Sequence, residues 1–94
     1  MKILGMISVT DPHAFEAYRS QVGATINAFG GKVITRGNQV QFFWNELECA
    51  PFDAFVEIEF PDLQAAKAWA ESPDYQALLP VRSKAMRLTL IGLG

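Results

Sequence analysis

Glu57 and Glu59 stand two residues apart in the alternating segment Phe55-Val56-Glu57-Ile58-Glu59-Phe60. On a strand, that spacing places both carboxylates on one face, about 7 Å apart along it. If Val56, Ile58 and Phe60 face helices, the glutamates face whatever covers the other side of the sheet. Partial loss of water there raises a carboxylate pKa and would make Glu59 a general base near neutral pH. The plain alternative is an ion pair across an interface, or a wet position at its rim. Arg36, just before Gly37, has the planar fork that clamps a substrate carboxylate; it can equally neutralise Glu57 or Glu59. His13 is the single histidine. It falls at the second position of a helix start, where the helix dipole favours a neutral imidazole and hence a second candidate base. A solvent-facing histidine without a role is the alternative. Tyr18, Trp69 and Tyr75 are polar-tipped aromatics on helix faces, read as core edge or as ligand contacts. Arg82 completes the candidate binding set, or else pairs with Asp74 or a helix terminus. The candidate catalytic residues are thus Glu59 and His13, and the candidate binding residues are Arg36, Tyr18, Trp69, Tyr75 and Arg82.

Other chemistries find no foothold. One histidine and one cysteine make neither a zinc-ligand set nor a serine or cysteine triad, so no metal and no cofactor is expected. Gly30-Gly31 follows a helix instead of opening one, unlike a phosphate-binding loop. Cys49, beside Ala50-Pro51, reads as a loop thiol; a lone cysteine points to a reducing compartment. A net charge of −2 and a pI near 5.2 leave no basic footprint for nucleic acid or an anionic membrane surface. No apolar run approaches the roughly 18 to 20 residues that cross a bilayer. The apolar start is cut at Thr10-Asp11-Pro12 without a small-residue cleavage site, so it reads as a first strand, and the expected location is the cytoplasm.

The elements that must hold these side chains follow from period and punctuation. Lys2 to Val9 has strand-type residues and is apolar on both faces. Asp11-Pro12 caps and opens a helix. Its stripe is Phe15, Tyr18, Val22, Ile26 and Phe29, and Gly30-Gly31 ends it. Residues 32–36 form a second strand. Residues 39–45 are also strand-like, as a continuation past a bulge or as a hairpin arm, and 46–51 connect onward. Phe42, Phe43 and Trp44 are consecutive and cannot all face one way; they read as interface residues, with a pocket wall as second choice. Residues 52–60 form the central strand. Asp62 caps a second helix with Leu63, Ala66, Trp69 and Ala70 inward. Ser72-Pro73 starts a short segment with Tyr75, Leu78 and Leu79 inward, which Pro80 stops or restarts. Met86 to Leu93 is a last strand, apolar on both faces.

Strand, helix, strand, strand, helix, strand is the split pattern of ferredoxin-like folds. The expected architecture is one α+β domain over residues 1–94. A four-stranded antiparallel sheet has its first and third strands central and its helices on one face. Half the residues are apolar, high for a small domain. A sheet oily on both sides needs cover for its helix-free face, and a second copy is the simplest cover.

Three stretches carry a resemblance to a known family. They are Asp11-Pro12 with Phe15 and Tyr18; Phe29-Gly30-Gly31 with Arg36-Gly37; and Ile58-Glu59-Phe60-Pro61. The last continues through Ala65-Ala66, Trp69, Ser72-Pro73-Asp74-Tyr75-Gln76 and Arg82. With these the chain resembles the bacterial family called domain of unknown function 1330, within the dimeric α+β barrel superfamily. It departs from the pattern at Ala70, where an aromatic residue often stands, and in residues 39–51. The resemblance implies a homodimer whose sheets face each other across their helix-free sides; it supplies no reaction. Relatives of the fold include cofactor-free oxygenases, haem-degrading enzymes and small-molecule isomerases. The first functional expectation is a small homodimeric protein with a small-molecule pocket between sheet and helices. The alternatives are a cofactor-free enzyme performing monooxygenase- or isomerase-like proton transfer, and a non-catalytic dimeric interaction module.

Overall fold

The computed structural model describes residues 1–94. The strands are β1 (Lys2–Val9), β2 (Lys32–Gly37), β3 (Ala54–Glu59) and β4 (Met86–Leu93). The helices are α1 (Pro12–Asn27), α2 (Leu63–Glu71), α3 (Pro73–Gln76) and α4 (Leu79–Ala85). The sheet order is β2-β3-β1-β4, with antiparallel pairing throughout. The first and third strands are central, as a split strand-helix-strand repeat demands.

Local chemistry accounts for the boundaries. Asp11 is extended, and its carboxylate accepts the Ala14 amide at 3.2 Å, with Pro12 at the first helical position. Asp62 accepts the Ala65 amide at 2.8 Å, and the Ser72 hydroxyl accepts that of Tyr75 at 3.2 Å. Each of these caps satisfies a helix-start amide that has no partner within its helix. The α1 terminus closes with Gly30 donating to Asn27 and Gly31 to Ile26, both at 3.0 Å. Gly30 has φ +76, open to glycine at no steric cost.

Register sorts the side chains. Ile7 opposes Ala54 and Leu88, and Gly5 opposes Val56 and Leu90, so these point toward the helices with Ile58. Leu4, Met6, Phe55, Glu57, Ile91 and Leu93 point to the open face. The core gathers Ile7, Tyr18, Ile26, Ile58, Phe60, Trp69, Tyr75 and Met86 between the layers. Phe60 and Ile26 are enclosed almost completely, each contributing about 1.5–3 kcal/mol of apolar burial. The Trp69 indole N–H donates to Thr25 Oγ1 at 3.0 Å, and Thr25 donates in turn to the Val22 carbonyl at 2.7 Å.

The structure corrects several expectations. Residues 39–45 form no strand: β2 pairs only with β3, and its outer edge is left open. They belong to a connection over residues 38–53, tied by Asn45, whose side chain accepts from and donates to the Cys49 backbone at 2.9 and 3.0 Å. Phe43, Trp44 and Leu47 project outward from it, between 82% and 90% exposed. The strand expected at 52–60 begins at Ala54. In α2 only Ala66 and Trp69 are buried. Leu63 and Ala70 lie outward because a two-turn helix anchored by Trp69 against Phe60 presents a single i, i+3 edge. Of the two roles expected of Pro80, the structure shows the restart of a helix, and α4 lies alongside α1.

Candidate functional site

A cavity of about 270 Å³ lies between α1 and the sheet, lined by 18 residues, 14 of them hydrophobic. One wall is the inner stripe of α1: Phe15, Tyr18, Val22 and Ile26. The floor is the helix-facing register of all four strands, including Ile7, Val56, Leu88 and Leu90. Trp69 contributes to the lining from α2. An apolar cavity of roughly 150 Å³ already holds benzene, so this one has space for a bicyclic molecule. Gly5 keeps the floor low. A Cβ there would sit 2.7 Å from Val56 Cγ1 and 3.0 Å from Leu90 Cδ2.

The charged groups of the lining are Arg19 and Arg36. Arg19 is committed to Glu16 at 2.9 Å and lies 5.6 Å from the centre of the Phe15 ring. Arg36 forms no ion pair. It reaches the cavity through an irregularity: Val33 opposes Ile58 and Thr35 opposes Glu57, so Ile34 is an extra residue bulging from the edge. Before the bulge, odd-numbered residues face the helices. After it, parity is reversed, and Arg36 opposite Val56 joins the cavity face. Ile34 is left 47% exposed.

From Tyr18 in the lining runs a chain of three polar side chains. Arg82 Nη1 donates to Tyr75 Oη at 2.9 Å, and Tyr75 Oη lies 2.9 Å from Tyr18 Oη. The two rings meet edge to face, with centroids 6.5 Å apart. Burial, followed by the neighbouring Tyr75, pushes the Tyr18 phenol well above its usual range, so it stays protonated. The expected pairing of Arg82 with Asp74 or a helix terminus is replaced by this bond, because Tyr75 one helix earlier presents its hydroxyl.

The candidate set therefore divides. Arg36, Tyr18 and Trp69 line the cavity, and Tyr75 and Arg82 stand behind Tyr18. Glu59 is on β3 facing away from the helices, and His13 is exposed near the start of α1; neither lines the cavity. Glu57, on the same open face, pairs with Lys2 at 3.0 Å, its side chain 17% exposed. The Lys2 bond, assisted by Thr35, holds the Glu57 carboxyl below its usual range, and Glu57 raises Lys2. The pKa rise expected from desolvation at Glu57 is thereby reversed, because lysine, not open apolar surface, is its neighbour. Phe42, Phe43 and Trp44 line no part of the cavity. The sequence reading missed Phe15, Val22, Val33 and Gly5 as cavity-forming residues. The α1 stripe was the available signal for the first two.

A second hollow, about 360 Å³, lies where Cys49–Phe52 of the connection meets Met6, Ser8, Arg87 and Thr89. No cluster of histidine, cysteine and carboxylate side chains is arranged to hold a metal ion. No helix is long and apolar enough to cross a membrane.

The family model described as domain of unknown function (DUF1330) matches residues 3–93. No curated protein matches the chain. Solved structures with the same fold include RPA0582, a protein of unknown function from Rhodopseudomonas palustris, 20% identical with a TM-score of 0.74, covering 96% of this chain and 78% of that one. SnoaB from Streptomyces nogalater, described as a cofactor-independent oxygenase, is 12% identical with a TM-score of 0.61, covering 99% and 91%. A protein of unknown function from Thermobifida fusca, described as dimeric and ferredoxin-like, is 13% identical with a TM-score of 0.58, covering 98% and 89%. At these identities the likeness is one of fold.

Proposed function

The chain belongs to the domain of unknown function 1330 family, and we propose that it is a homodimeric binding protein whose cavity takes a small apolar molecule with an anionic end. The cavity carries this reading: its lining is largely hydrophobic, and its Arg36 has no carboxylate partner. A guanidinium so placed holds a carboxylate through charge-assisted, bidentate hydrogen bonds. Phe15, Val22 and Ile58 enclose the apolar body, and Tyr18 and Trp69 bound it. Glu59 and His13 stand outside the cavity, which favours binding over proton transfer by those two groups.

The partner is a second copy, and the joining surface is the open face of the sheet. Antiparallel sheets that face water normally turn polar residues outward. Here Leu4, Met6, Phe55, Ile91 and Leu93 occupy that face. Similar folds described as dimeric support the arrangement. The Lys2–Glu57 pair then serves the interface. Sedimentation velocity should give twice the 10.4 kDa chain mass.

Calorimetric titration with 2-naphthoate and its uncharged amide tests the cavity. The carboxylate should bind about tenfold more tightly, the scale of a charged hydrogen bond. Equal affinity would remove Arg36 from the site, and binding of neither would end the reading.

A further inference from the structure

The hydrogen atoms of the Tyr18–Tyr75–Arg82 chain can be placed by elimination. A guanidinium has only donors, so the 2.9 Å contact between Arg82 and Tyr75 Oη runs toward Tyr75. Tyr75 has one O–H of its own. Its hydroxyl is buried, and the one other side-chain group within hydrogen-bonding reach is Tyr18 Oη at 2.9 Å. If Tyr18 were the donor in that contact, the Tyr75 proton would be enclosed with no acceptor, at a cost of about 1–3 kcal/mol. Tyr75 therefore donates to Tyr18. The Tyr18 oxygen is then an acceptor toward Tyr75, and its own proton needs an acceptor elsewhere. No protein group supplies one. Tyr18 is the member of the chain that lines the cavity, and Tyr75 does not line it.

We propose that Arg82 and Tyr75 orient and polarise the Tyr18 hydroxyl as a hydrogen-bond donor into the cavity, so that the cavity selects apolar molecules bearing a carbonyl or carbonyl-like oxygen. This rests on the cavity being a binding site, the reading given above, and adds to it a neutral polar contact separate from Arg36. Tyr18 is the group that touches the ligand; Tyr75 and Arg82 are positioning residues. Successive donation along such a chain strengthens each bond, and the arginine charge at its far end favours electron density on the ligand oxygen. Burial keeps the Tyr18 phenol protonated, so the donor persists across the physiological pH range. The same geometry would stabilise negative charge developing on a ligand oxygen, as preorganised donors do.

Tetralin and 1-tetralone form the test pair, since they differ by one carbonyl and neither carries a charge for Arg36. Binding is read by chemical-shift titration on the whole protein, and the bound ketone by its C=O infrared band. The wild-type protein should bind both, with the ketone preferred about tenfold, near one neutral hydrogen bond, and its band shifted to lower frequency. Tyr18→Phe should keep tetralin affinity and lose both the preference and the shift. Tyr75→Phe and Arg82→Gln should keep tetralin affinity and reduce the shift, with Arg82→Lys restoring part of it. Tetralin binding without ketone preference in the wild-type protein overturns the polarity assigned here while leaving the cavity reading intact. A shift that survives Tyr18→Phe does the same. Failure of both compounds to bind overturns the cavity reading and the relay with it.

Discussion

Val33 and Arg36, three residues apart on β2, line the same wall of the cavity. On a regular strand that separation puts two side chains on opposite faces. The bulge at Ile34 supplies the extra residue that brings them together, and so determines where the site's free cation stands.

Deleting Ile34 should therefore remove the bulge and leave Arg36 on the cavity face. Val33, Thr35 and Arg36 would then be consecutive and still opposite Ile58, Glu57 and Val56, so carboxylate preference should persist, whereas Arg36→Gln should lower it about tenfold, on the scale of one charged hydrogen bond. Naphthoate titration of both variants checks this. Loss of the preference in the deletion variant would show that pairing with β3 does not aim the arginine.

Gly5→Ala should raise the cavity floor. The new methyl meets Val56 and Leu90, both lining residues, and overpacking of this kind costs about 1–3 kcal/mol. The expected result is a lower melting temperature together with weaker binding of bicyclic ligands, measured by thermal denaturation with and without naphthoate.

The Lys2–Glu57 pair predicts a pH dependence whose sign is fixed. Glu57 lies below its usual 4.5 when folded, so its stabilisation is present above that value and disappears as pH falls through the folded pKa. Lys2 lies above its usual 10.5, so its share is present below that value and is lost as pH rises through the folded pKa. Glu57→Gln should flatten both limbs of a stability–pH curve from denaturant titrations. A wild-type acid limb in the variant would assign that loss to other carboxylates.

Thr25→Val removes the acceptor of the Trp69 indole while conserving shape. The buried N–H is left unpaired, and the expected destabilisation is about 1–3 kcal/mol, read from denaturant midpoints. A neutral effect would mean that the indole finds water.

Much of this architecture was legible in the chain. Asp11-Pro12, Asp62, Ser72-Pro73 and Gly30-Gly31 mark helix ends by local hydrogen bonding, which spacing reveals. The α1 stripe named one wall of the cavity, and alternation in β3 put Glu57 and Glu59 on the helix-free face. What escaped depends on partners distant in sequence. The Ile34 bulge exists only relative to β3, residues 39–45 alternate yet join no ladder, and Lys2 meets Glu57 only because β1 runs beside β3. Arg82 was placed against Asp74 by proximity in sequence, whereas the hydroxyl of Tyr75, on the same short helix, is what its guanidinium reaches.

The most direct test of the account is a methyl-resolved NMR titration with 2-naphthoate. Ile7, Ile26 and Ile58 line the cavity, whereas Ile34 and Ile91 lie outside it. The account predicts saturable shifts at the first three with Ile34 and Ile91 unmoved. Shifts centred on Ile91, or none at Ile7, Ile26 and Ile58 at saturating ligand, would contradict it.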